Sequence, residues 1–122
     1  MGVVVDGIRD RFKWRQVVAP RPWLPEAIGQ ELIGYYGGRT LRQGQWGQYE
    51  VVLVHVPLDG CYTLSGTRII QLLDASMCAL GHPIRIVWQG TKPTSRNYDM
   101  KMYDVMVAEG EAIPAEALPQ VQ

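Results

Sequence analysis

Two short stretches of this chain combine cationic, amide and aromatic side chains. One holds Arg39, Arg42, Gln45 and Trp46; the other holds Lys92, Arg96, Asn97 and Tyr98. Lysine and arginine neutralise phosphate and aromatic rings stack on bases, so each stretch has the composition of a single-strand nucleic-acid contact. Little else in the sequence points to bond-making chemistry. It contains no Gly-rich phosphate loop, no HExxH, no nucleophile elbow and no DxD-type metal motif. Asp99 and Asp104, five apart on one strand, point to opposite faces and form no acid–base pair. His55 sits among valines and reads as a structural or surface histidine. His55 and His82 do not share metal-ligand spacing with Cys61 and Cys78, and two cysteines do not make a disulfide framework. The expectation is a protein that is not an enzyme and needs no metal or cofactor.

The elements that must position the two stretches follow from periodicity. Residues 31–41 alternate like a strand but are interrupted by Gly34, Gly37 and Gly38, the mark of a bulge or sharp bend. Residues 48–56 are the most strand-like run, valine-rich and bounded by Gly47 and Pro57. Residues 61–66 form a short third strand after a Pro57–Gly60 turn. The period then changes. Ile69, Leu72, Leu73, Ser76 and Leu80 share one helical face, with Thr67 able to cap the start and Gly81 able to follow the end. Strands over 83–90 and 99–107 complete the set. Their core faces are Ile84, Ile86 and Trp88 on one, and Tyr103, Val105 and Val107 on the other. Met100, Met102, Asp104 and Met106 then point outward, either under the N-terminal segment or into a subunit interface.

Three strands, a helix and two strands is the order of an all-β fold with one helix, a five-stranded OB-fold barrel. Such barrels bind oligonucleotides on strands two and three and on the loops joining strands one–two and four–five. The two basic–aromatic stretches fall on those loops. Parity leaves two points open: which face of the second strand turns inward, and which of Tyr35 and Tyr36 is core and which is available to a ligand.

The domain reading is an N-terminal arm over 1–30, the barrel over 31–108 and a short acidic tail over 109–122. The arm carries Trp14 and Trp23 and three prolines between residues 20 and 25, so it is not a helix interior. The formal charge is zero, distributed as +2 on the arm, +1 on the barrel and −3 on the tail. No apolar run reaches the roughly 18 residues of a membrane helix. The first residues match neither a signal peptide nor the myristoylation pattern, so a cytoplasmic location is expected.

Residues 34–39 (GYYGGR), 66–69 (GTRI) and 81–92 (GHPIRIVWQGTK) together resemble OB-fold single-stranded DNA-binding proteins of phages and prophages. In that group, a GYY-G-R first strand leads to a GT-x-I/L helix start and a G-x-P-x-R-I-x-W/Y-x-G-x-K fourth strand. The resemblance covers about residues 31–107. It implies binding of single-stranded DNA without sequence specificity during phage replication or recombination, in the host cytoplasm. It implies no cofactor and no membrane, and as partners further copies of the chain and replication or recombination proteins. The tail lacks the terminal Phe of bacterial homologues, so recruitment through it is not carried over. On this reading Tyr36, Trp46, Tyr62 and Tyr98 stack on bases. Arg39, Arg42, Arg68, Arg85, Lys92, Arg96 and Lys101 contact phosphates. Two other functions fit the same scaffold: a protein-interaction or assembly module using the Met-rich face and the arm, and a phage accessory inhibitor.

Overall fold

The valine-rich run forms β4, Gly47–Val56, flanked by β3, Glu31–Gly44, and β5, Gly60–Ser65. The computed structural model describes residues 6–14, 17–94, 99–110, 113–114 and 117–121. Beyond β5 come α2, Thr67–Ser76, then β6, Pro83–Pro93, and β7, Asp99–Val107. Before β3 lie α1, Asp6–Arg11, β1, Val17–Val18, and β2, Arg21–Pro22; β8, Gln120–Val121, ends the series. The six-stranded sheet has the order β2-β5-β4-β3-β6-β7, antiparallel except where β2 joins β5 in parallel. β1 and β8 pair separately, in parallel.

The sheet curls into a half-barrel. β3 breaks register between Tyr36 and Arg39, where Gly38 adopts φ 84°, a left-handed value that favours glycine. β6 and β7 shift between Trp88 and Thr91. The curl brings the far edges together. The ring of Trp23, just past β2, lies 6.3 Å from that of Tyr103 on β7, and Lys101 Nζ donates to Ser65 Oγ at 3.2 Å. Inside, Leu32, Tyr36, Val52, Val54, Leu64, Ile84, Ile86 and Tyr103 form one core, into which α2 inserts Ile69 and Leu73. Ile84, Ile86 and Tyr103 are buried where the sequence predicts core, with Trp88, Val105 and Val107 packed at its edge.

The structure departs from the sequence reading in several places. There is a second helix, α1, and the sheet gains a sixth strand because the arm adds β2 to β5. Trp23 then donates its backbone N–H to Thr63 O at 3.0 Å, and Gly29 and Gln30 exchange backbone bonds with Trp88. An extended segment with prolines satisfies its backbone here by lying along a sheet edge. α2 ends at Ser76, one turn short of Leu80. Met77 takes the left-handed cap (φ 54°), and the start is capped by Gly66 without a side-chain bond, not by Thr67. Leu80 instead packs close to Gly38. β4 is buried on both faces: Val52 and Val54 face the core, while Val51, Leu53 and His55 are 3%, 5% and 5% exposed on the other side. Near the C-terminal end, β8 pairs with β1 and Leu118 is buried.

Candidate nucleic-acid interface

The β3–β4 hairpin turns through Gln45 and Trp46, and the indole of Trp46 is 92% exposed. Arg42 and Tyr49 are directly opposed in the hairpin, so both side chains stand on the same face. Tyr49 is 45% exposed, and its ring lies over Gly44: a Cβ there would sit 2.9 Å from Cε1. One aromatic ring, Tyr49, braced on Gly44, therefore stands beside the half-buried Arg42, and a second, Trp46, is exposed at the turn. The next row on that face runs Thr40–Val51–Ser65 across β3, β4 and β5. Lys101 reaches its far end through Ser65. From strand spacing and rise, the Arg42 and Ser65 backbones are about 12 Å apart. The face thus has aromatic rings and a cation at one corner and a second cation across the sheet.

Arg42, Arg68, Lys92 and Lys101 make no ion pair among the described residues. Lys92 is exposed near the end of β6, opposite Met100, and Arg68 is exposed on α2. Burial pushes the Cys61 thiol up to about 11, partly offset by a hydrogen bond from the Val54 backbone and by the charge of Arg42.

Other residues singled out in the sequence lie elsewhere. Tyr36 is 7% exposed and belongs to the core, so it offers no ring to a ligand. The bulge that follows it also turns Arg39, opposite core-facing Val52, onto the inner face. There it pairs with Glu50 at 3.3 Å and with Asp74 of α2. Tyr62 donates its hydroxyl to Asp59 at 2.6 Å, and the Arg21 guanidinium covers its ring at 4.7 Å. That covers a ring face a base would need. Arg85 is paired with Glu31 at 2.6 Å on the outside of β6. Arg96 and Tyr98 fall outside the described residues. Tyr49, missed as a site residue, could have been found from its two-residue offset from Gly47 and its pairing with Arg42.

Among the described residues no cluster of three or more His, Cys, Asp or Glu could hold a metal ion, and no helix is long and apolar enough to cross a membrane. No family model, no curated protein and no solved structure matches the chain.

Proposed function

We propose that this chain is a non-enzymatic OB-fold protein that binds single-stranded DNA without sequence specificity. The strand order β5-β4-β3-β6-β7, with a helix between β5 and β6 in the chain, supports the OB reading. The observation that carries the function is the hairpin corner. Trp46 is almost fully exposed beside Tyr49 and Arg42, on the connection such barrels use for oligonucleotides. Leaving an indole in water has no structural benefit, whereas stacking a base on it contributes about 1–3 kcal/mol. Arg42, Lys92 and Lys101 supply phosphate contacts, with Arg96 and Tyr98 as further contributors from the β6–β7 connection. A role in phage replication or recombination follows from the sequence resemblance.

A second reading has one observation in its favour. Ile33, Arg85 and Met106 form a row on the outside of β3, β6 and β7, with Ile33 55% and Met106 41% exposed. That row suits self-association, which is compatible with DNA binding, or docking of another protein. Titration with fluorescent oligo-dT, oligo-rU and duplex DNA at low salt tests the proposal. Oligo-dT binds more tightly than duplex; absence of binding to all three would leave the interaction-module reading standing.

A further inference from the structure

The two tryptophans of the arm are placed differently. Trp23 packs on Tyr103 and against the core. Trp14 does not. Its indole Nε1 donates to Arg9 O at 2.6 Å, and its ring meets that of Phe12 edge-on, with centroids 6.4 Å apart. Both contacts are with neighbours in sequence. Ile8, Phe12 and Trp14 are 53%, 59% and 67% exposed. Three large apolar side chains within seven residues are thus left in water, and an apolar patch that the fold does not cover marks an interaction surface.

The side chains around these rings indicate the partner. Residues 8–14 (IRDRFKW) hold Arg9, Arg11 and Lys13 against one carboxylate, Asp10, which pairs with Arg9 at 3.5 Å. Arg11 lies 6.0 Å from the centroid of the Phe12 ring. Arg11 and Lys13 are exposed and make no ion pair among the described residues. Exposed rings interleaved with cations suit a single strand, since bases stack on the rings and phosphates meet the cations. A lipid surface fits less well. α1 has six residues, about 9 Å of helix, and both rings lie beyond its end at Arg11, so no helical face gathers them.

We propose that residues 8–14 form a second contact for single-stranded DNA, in which Phe12 and Trp14 stack on bases and Arg11 and Lys13 meet phosphates. This rests on the strand-binding reading and extends it from the hairpin corner to the arm. The two contacts are separate: among the described residues no ring contact joins Phe12 or Trp14 to Tyr49 or Trp46.

The test uses full-length protein labelled with 5-fluorotryptophan, whose four ¹⁹F resonances are assigned by single Trp→Phe substitutions. Oligo-dT of about 20 nucleotides, longer than the roughly 4–16 that one OB fold covers, is titrated in at low salt. The Trp14 and Trp46 resonances shift saturably with a common midpoint. Trp14→Ala lowers affinity about ten-fold with Tm unchanged. A shift at Trp46 with Trp14 stationary, or full affinity in Trp14→Ala, overturns the arm contact and leaves strand binding at the hairpin standing. Oligo-dT that moves neither resonance overturns both. Vesicles of phosphatidylserine and phosphatidylcholine, and a protein dilution series, test the other occupants. A Trp14 resonance that responds to either, and not to oligo-dT, assigns the arm to a lipid surface or to a second copy and overturns the proposal.

Discussion

The ring of Tyr49 lies over the Cα of Gly44, leaving no room for a Cβ: one built there would sit 2.9 Å from Cε1. This contact braces the second ring of the hairpin corner beside Trp46. Gly44 does not need a left-handed backbone, so an alanine there perturbs the ring and not the turn. Gly44→Ala is expected to weaken oligo-dT binding several-fold, a fraction of the roughly 1–3 kcal/mol of one stacking contact. Melting temperature should change little. Unaltered affinity would remove Tyr49 from the interface.

Salt dependence distinguishes cations that meet phosphate from those engaged in the fold. The log–log slope is about −0.7 per phosphate neutralised on a single strand, so three to five contacts give about −2 to −3.5. Arg42→Ala and Lys101→Ala should each reduce the slope by about 0.7. Arg85→Ala should leave it unchanged, since Arg85 is paired with Glu31 away from the hairpin corner. Arg39→Ala should act mainly on stability, because Arg39 joins β3 to Glu50 and to Asp74 of α2. Equal slopes for all four variants would contradict the assigned face.

Several of these distinctions were open to sequence reasoning and others were not. The Val-rich centre, the alternation of β6 and β7 and the change of period at α2 are local patterns, and the structure has elements at each of them. The glycine-broken first strand has its bulge between Tyr36 and Arg39. That bulge also limits the reading, because alternation carried across it misplaces side chains: Arg39 turns inward. The short strands β1, β2 and β8 have two residues each, too few for a periodic signal. Their pairing depends on partners some 40 or 100 residues away. The burial of His55 follows from the same long-range covering, so its valine neighbours alone could not reveal it.

The arm should contribute to stability from Trp23 onward. Trp23 packs on Tyr103 and bonds Thr63, linking the two edges of the curled sheet. It is only half-buried, so Trp23→Ala should cost about 2 kcal/mol, below the 3–5 kcal/mol of a fully buried tryptophan. That lowers Tm by roughly 5–10 °C. A Tm within about 1 °C of the parent's would show that the arm does not bind the edges together.

His55 gives stability a pH dependence with a definite sign. Burial lowers its pKa below the ordinary 6.5, so the unfolded chain binds a proton that the folded chain resists. Stability is therefore constant with respect to this group above about pH 6.5. It falls as the pH drops from there toward the folded value. His55→Phe should flatten the Tm profile between about pH 7 and 5.5, above the range of ordinary carboxylates. A profile equally steep in the variant would assign the effect to another group.

The most direct test of single-strand binding through this hairpin is the effect of Trp46→Ala on oligo-dT affinity, with Tm measured on the same sample. Trp46 is 92% exposed and supports nothing in the fold. The expected result is a roughly ten-fold or greater loss of affinity with Tm unchanged. Full affinity in the variant would contradict base stacking at this corner, and with it the main argument for single-strand binding.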